Sequence, residues 1–456
     1  QGMVYDKLFE VDDNTGEYTS RVLSSWEWAD DQTLVMTLKD GITFSDGKQM
    51  TAEDVLFSIR NYIDQGETTD KYQYFQYIDF DASTISEDGM TLTLVYQFPY
   101  GPAERTLNCS IMQKEFTQAH DNADQIWYTG PVGSGPYEIT DCVQDSYVTF
   151  TLRDDYWNTD YTYDATEITL RFYTDETAMY IDYQAGNLDA MYGVGTTVAS
   201  QVEAANGGQG SVQYVSNNDV AFIMLNEDNE YLADPAVREA IACALDMTYI
   251  TDVAYGLLGT PAKSHYASTF DCYSEYEGYA YDVERAKQLL AEAGYPDGFS
   301  TAILTSDHQQ RVDFSEIAQN QLAAIGIDCE VNIMEWGAYL DAVFAGEHEM
   351  TVLGYSYGLD PGTGLYSLFH SDSFGPDGNI AWYQNDEVDQ LLIDAQTEMD
   401  EATRIQMFKD VQSIVTEEAP WVFIWQGENI NGTVASLRGW ENRGDGQYWF
   451  MDMYFE

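Results

Sequence analysis

The chain has 456 residues, more than one hydrophobic core normally supports, so two packed domains are expected. Its 78 acidic against 19 basic residues give a formal charge of -59, which repels phosphate backbones and anionic membrane surfaces and argues against nucleic acid as a partner. No run approaches the roughly 18 apolar residues of a membrane span, and the five cysteines (Cys109, Cys142, Cys243, Cys272 and Cys329) form no C-x-x-C pair that would mark zinc or redox chemistry.

The chain begins at Gln1 without the basic and apolar regions of a signal peptide, so any export signal or lipid-anchored cysteine is expected outside it. The stretch "TLVMTLKDGITFSDG" alternates apolar and polar residues and breaks at Asp46-Gly47, as a strand ending in a turn does. A helix follows from Thr51: Asp54 three residues on makes a near capping box, and Val55, Leu56, Ile59 and Ile63 fall on one stripe. Further strands run through "GMTLTLVYQF" and "YVTFTLRDDYW", the latter closed by Tyr156 and Trp157. Between them, Gly133-Ser134-Gly135-Pro136-Tyr137 lacks the lysine and spacing of a phosphate loop, so its glycines mark a tight turn or a close backbone approach.

After about residue 225 the pattern becomes helical. Asp234 and Pro235 open a helix expected to run to Gly256, and Asp282 opens another that stops at Gly294 with Pro296 beyond. "DFSEIAQNQLAAIGIDCEVNIMEW" reads as helix, Gly326 break and strand; two amphipathic helices then precede the strand Trp421 to Trp425. This alternation predicts an α/β domain behind a β-rich one.

Gly354-Tyr355-Ser356-Tyr357-Gly358 matches a nucleophile elbow, but Leu359 to Gly364 is a cluster of turn formers where a helix should begin, and His370 is the one histidine downstream. The histidines (His120, His265, His308, His348 and His370) are too dispersed for a zinc site. Acidic runs at Asp12-Asp13-Asn14 and Glu227-Asp228-Asn229-Glu230 could hold Ca²⁺, but neither fits an EF-hand. No catalytic residue, metal or cofactor is assigned.

Several segments, in order, resemble one family. "SSWEWADDQTLVMTLKDGITFSDGKQMTAEDVLFSIR" carries a W-E strand, a K-G-x-x-F-x-D-G-like turn and a T-A-x-D-V helix; "VGSGPYEI" with "LRDDYW", and then "DPAVREAIACALD", follow. Together they resemble solute-binding protein family 5 of bacterial ABC importers, the peptide, nickel and oligopeptide binders. "EWGAYLDAVFAGEHEMTVLGYSYGLDP" is similar to its dipeptide branch, with departures. Gly358 replaces the aspartate offered to a peptide ammonium, in a loop one residue shorter, Tyr355 stands where tryptophan is usual, and the family's opening strand, ahead of Met3, is missing.

The resemblance implies an α/β, two-lobed type II periplasmic binding fold, with mixed β-sheets flanked by helices. Lobe I would be residues 1–220 plus 426–456, with an inserted β-rich subdomain at about 30–160, and lobe II 221–425, with the hinge near 220 and 425. It also implies a monomer outside the cytoplasm, lipid-anchored beside an ABC permease, that captures a short peptide or similar solute. Candidate contacts are Arg311, Trp336, Tyr355, Ser356, Tyr357 and Asp360 on lobe II, with Gly133, Ser134, Gly135 and Tyr137 on lobe I. Each has a plainer reading. Trp336 and Tyr355 read equally well as core aromatics, and Gly133 to Tyr137 reads equally as a turn. Two other functions stay open, an oligosaccharide binder of the same fold and a secreted esterase using Ser356.

Overall fold

A computed structural model describes residues 2–11, 17–66, 69, 71–120, 130–206, 211–256, 259–358, 360–442 and 448–456; Asp12, Asp13, Asn14 and Leu359 lie outside these. The alternating stretch forms a hairpin of β1 (Leu23–Asp30) and β2 (Thr33–Leu38), and β3 (Thr91–Val95) with the short strand Thr84–Ile85 completes a four-stranded sheet. Helix α1 (Ala52–Asp64) covers it. Thr51 caps this helix, its N–H donating to the Asp54 carboxylate at 2.9 Å, and Val55 and Ile59 pack with Leu34, Met36, Leu92 and Leu94.

A second sheet, β4 (Tyr137–Val143), β5 (Tyr147–Leu152) and β6 (Glu167–Arg171), has its own core with Met3, Val4, Tyr5 and Met451. The β-rich range of about 30–160 therefore holds two sheets on separate cores. Tyr156 and Trp157 lie past the end of β5; instead of closing a strand they donate to Asp6, at 3.1 and 3.0 Å.

Next come α2 (Glu176–Gln184), β7 (Ala190–Met191), α3 (Thr196–Ala205) and the long strand β8 (Val212–Leu225). The expected helix from Asp234 to Gly256 is two: α4 (Pro235–Ala244) and α5 (Met247–Ala254). The chain turns extended at Leu245, and Asp246 starts a new cap, accepting the Tyr249 N–H at 3.1 Å while its own N–H donates to Gln321 at 2.8 Å. The remaining elements are β9 (Gly259–Pro261), α6 (Val283–Glu292), β10 (Ser300–Ser306), α7 (Gln309–Ala323), β11 (Asp328–Met334), α8 (Trp336–Phe344), β12 (Met350–Ser356), α9 (Pro361–Phe369), α10 (Asp386–Thr397), α11 (Glu401–Glu418) and β13 (Trp421–Thr433).

One seven-stranded sheet runs β7-β13-β8-β12-β10-β11, with β9 beside β13. Two clusters flank it, both built from residues between Val220 and Ile424: α7 covers one face through Phe314, Ala318 and Leu322, while α8 and α9 cover the other through Tyr339, Val343, Leu365 and Phe369. The long antiparallel strands β8 and β13 continue beyond these clusters, where Ile430 joins Met191, Val194 and Val202. Their pairing slips between Ser216 and Val220. No disulfide joins any two of the five cysteines, Cys109 and Cys142 included.

Candidate functional site

Side chains along a strand alternate faces, and on the α7 side of the sheet this alternation runs from large to small. Leu225 and Ile223 on β8 face Met350 and Val352 on β12; the next pairs in the same register are Ala221 with Gly354 and Asp219 with Ser356. The first four are core residues beneath α7. Past the start of that helix nothing bulky fills the sheet surface, and a cavity of about 520 Å³ opens there.

Topology puts it in the same place. Strands β10 and β12 are parallel neighbours, yet the helices that follow them, α7 and α9, lie on opposite faces. Such a divergence leaves a crevice at the carboxyl ends of the two strands, the usual ligand position in open α/β sheets.

The walls come from distant segments. His308, Gln310 and Arg311 line it from the start of α7, where His308 supplies no side-chain cap, so the positive end of the helix lies at the cavity. Tyr255 stacks on Trp425 at 4.8 Å and 17° to form an aromatic wall; burial pushes the Tyr255 hydroxyl up to about 12, with the Arg311 charge pulling the other way. Gly193, Val194, Asn429 and Ile430 line it from beside β7, and Asn217, Asp219 and Glu428 from where β8 and β13 slip.

Arg311 brings a positive charge to this setting. Its guanidinium lies 5.0 Å over the Trp336 ring and donates weakly to Ser306 Oγ at 3.4 Å. No carboxylate among the described residues pairs with it, although the chain holds 78 acids. Trp336 is 42% exposed at the first position of α8 and stacks on Tyr339. Ser356 is exposed, and Tyr355 is half-buried, its hydroxyl pushed up by burial.

Of the residues singled out in the sequence, Arg311, Tyr355 and Ser356 line the cavity and Trp336 joins it through Arg311. The others sit elsewhere. Tyr357 is buried beyond the end of β12, against Tyr266 and Phe270. Asp360, 3% exposed, caps α9 by accepting the Thr363 N–H at 3.0 Å and pairs with Arg404 at 2.6 Å, so its charge is already met and it holds no ligand ammonium here. Gly133, Ser134, Gly135 and Tyr137 pack under the N-terminal segment: the Gly135 and Tyr137 N–H groups donate to the Val4 and Met3 carbonyls at 2.8 and 2.9 Å, and Ser134 Oγ accepts the Asp6 N–H. A Cβ at Gly133 would overlap the Val4 carbonyl, so this glycine serves close backbone approach, not a ligand.

The elbow-like motif also lacks its partners. Helix α9 begins only at Pro361, no histidine among the described residues hydrogen-bonds Ser356, and His370 Nδ1 accepts the Asp372 N–H at 3.0 Å while its ring stacks on Tyr366. Glu227, from the second acidic run, is ion-paired with Arg238 at 3.4 Å.

Long strands crossing from one group of cores to another, with an open cavity at the crossing, define the class of two-lobed binding proteins. The chain belongs to the bacterial extracellular solute-binding proteins, family 5, whose pattern matches residues 17–376, which places it outside the cytoplasm. It is 26% identical to heme-binding protein A of Haemophilus influenzae over 92% of this chain and 81% of that protein, and 24% identical to the oligopeptide-binding protein AppA of Bacillus subtilis over 97% and 84%. The structure of a putative peptide binding protein AppA from Clostridium difficile superposes on all of this chain and 95% of that one, with a TM-score of 0.86 at 23% identity. These relatives are binding proteins rather than enzymes.

Proposed function

We propose that the cavity at the ends of β10 and β12 binds a short peptide, which this chain, as a monomer, delivers to the transmembrane subunits of an ABC importer. The observation that carries this reading is Arg311, a cation lining the cavity without a carboxylate partner among the described residues of an acid-rich chain. A guanidinium matches a carboxylate in geometry and charge. Exposed main chain at the end of β12 supplies groups that pair with a peptide backbone whatever its side chains. Relatives named for oligopeptides support the ligand class.

The lobes are residues 1–220 with 426–456, and residues 221–425. In support, the buried residues of both cores flanking the sheet run from Val220 to Ile424, while Met3 and Met451, from opposite ends of the chain, share a core elsewhere. The slipped pairing at Ser216–Val220 is the hinge. A ligand closes the lobes only if it gains contacts in the closed state that it lacks in the open one.

The test is to purify the protein without added ligand, release whatever it holds by denaturation and identify it by mass spectrometry. A peptide is expected; a sugar would overturn the peptide reading.

A further inference from the structure

Away from the cavity, the core of β1 to β3 meets the core under α8 and α9 along a seam. On the first side stands Arg105, in the short helix Ala103–Thr106, whose Ala103 is buried in the core of β1 to β3 together with Leu107. On the second stand Asp271, between Phe270 and Cys272, and Glu401, at the start of α11; Phe270, Cys272 and Phe408 of α11 all pack in the core under α8 and α9. The Arg105 guanidinium pairs with Asp271 and, at 3.1 Å, with Glu401. The Tyr18 hydroxyl, packed on the Arg105 side, also donates to Glu401 at 3.1 Å. Nearby the Gly101 N–H donates to the Gln396 carbonyl at 3.1 Å, and a Cβ at Gly101 would overlap the Glu398 carbonyl, so the two backbones touch.

Exposure separates a fixed ion pair from one that can part. Asp360 and Arg404 are 3% and 1% exposed inside one core, so pulling them apart would strand a buried charge. At the seam Arg105 is 10% exposed, but Asp271 and Glu401 are 41% and 33%. When the seam opens, water reaches Arg105 and Asp271, while Glu401 keeps Arg404, whose guanidinium donates to it at 2.6 Å. Neither side is left with an uncompensated buried charge, so the contact is reversible.

We infer that Arg105 is a closure residue: it clasps Asp271 and Glu401 across the seam as the lobes come together, and so strengthens capture without touching the ligand. This rests on the lobe boundaries proposed above, which put Arg105 on lobe I and both carboxylates on lobe II. None of the three lines the cavity, so the clasp contributes equally whatever the cavity holds. A contact that sets the closed fraction scales every apparent affinity by one factor, raising capture of all ligands without choosing among them.

The test reads shape first, on the protein without added ligand. Arg105→Glu sets three carboxylates against one another across the seam, and small-angle X-ray scattering is expected to give it a larger radius of gyration than the parent. Adding Asp271→Arg to that variant restores an opposite-charge pair and is expected to return the radius to the parent's value. An unchanged radius in Arg105→Glu with an unchanged unfolding midpoint would overturn the inference. An unchanged radius with a lowered midpoint would put the seam inside one rigid body and overturn the lobe boundaries as well. Expansion that Asp271→Arg does not reverse would trace the effect to lost packing and overturn the clasp. Affinity gives the second readout: Arg105→Gln is expected to weaken retention of a random tripeptide library, and of the same library N-acetylated, by the same ~5-fold, the scale of a partly exposed ion pair. A loss confined to one library would make Arg105 a ligand contact and overturn the inference. Retention of neither library by the parent would overturn the peptide reading, with the clasp decided by the scattering.

Discussion

Two glycine-bearing segments of this chain carry its most specific-looking motifs, and they end in opposite environments. At Gly133 to Tyr137 the missing side chains let the backbone press against Met3 to Tyr5, and everything around them is filled. At Gly354 the missing side chain leaves space unfilled, because the next residue inward on that face, Val352, is the last one covered by α7. A glycine thus marks either closest approach or vacancy, and only the neighbouring strand tells which.

The sharpest way to break this comparison is at Asp360, which the motif places beside the ligand and the structure places in the core. Removing one partner of a buried ion pair leaves the other charge uncompensated, so Asp360→Ala should cost about 3–5 kcal/mol by denaturant unfolding, with the Arg404 guanidinium left to Glu401 alone. A variant of unchanged stability but weakened ligand binding would return Asp360 to the site.

The glycines themselves come next. Gly133→Val drives a side chain into the Val4 backbone and should cost about 3 kcal/mol, the upper end for overpacking. At Gly354 a Cβ would meet the Val220 carbonyl at 3.4 Å and the Ala221 Cα at 3.9 Å, both ordinary contacts, so Gly354→Val should change stability by less than about 1 kcal/mol while filling the cavity and lowering ligand affinity. Equal unfolding midpoints for the two variants would erase the distinction.

A smaller effect tests the packed segment through pH. Asp6 is buried beneath it, and burial raises its carboxyl to about 6 against hydrogen bonds from Trp157, Ser134 and Tyr156. In the unfolded chain it returns to about 3.9. Between these values the folded state holds a proton that the unfolded state has released, so its contribution is full below about pH 4 and is lost as pH rises through about 6. The loss is on the order of 2–3 kcal/mol. Asp6→Asn stays neutral throughout, so the difference in stability between variant and parent should shift by that amount between pH 4 and 7.5. A flat difference would mean that Asp6 is not buried as described.

Local chemistry was legible in the sequence and long-range chemistry was not. Thr51 with Asp54 at one helix start, and Asp282 and Gly294 at the two ends of another helix, each act on backbone within about one turn, and the helices they bound are found where expected. Asp360-Pro361 repeats the cap pattern of Asp234-Pro235, so it could have been read as a helix start before it was read as a ligand contact. The break at Leu245 depends on Gln321, 75 residues on from Asp246, and no local pattern announces it. The cavity is harder still, since Val194, Tyr255, Arg311, Tyr355 and Trp425 meet only through strand order. One signal was available: Asn217-Asn218-Asp219, turn formers just ahead of the apolar run Val220 to Leu225, is where β8 slips.

The smallest expected effect is at Ser356, where both readings of the elbow-like motif meet. Its hydroxyl is exposed at the cavity, opposite Asp219 in the sheet, and no described residue hydrogen-bonds it. Nothing in the fold depends on it, so Ser356→Ala should leave stability within about 0.5 kcal/mol of the parent. A peptide pairing with the edge of β12 would gain at most one neutral hydrogen bond from the hydroxyl, so affinity should fall by about 1 kcal/mol or less by calorimetry. A nucleophile would behave differently, because its removal abolishes turnover while leaving binding nearly intact. Any ester hydrolysis by the parent that disappears in Ser356→Ala would therefore turn a vacancy at the end of a sheet into a reactive centre, and capture unchanged with no hydrolysis in either protein would keep it a binding surface.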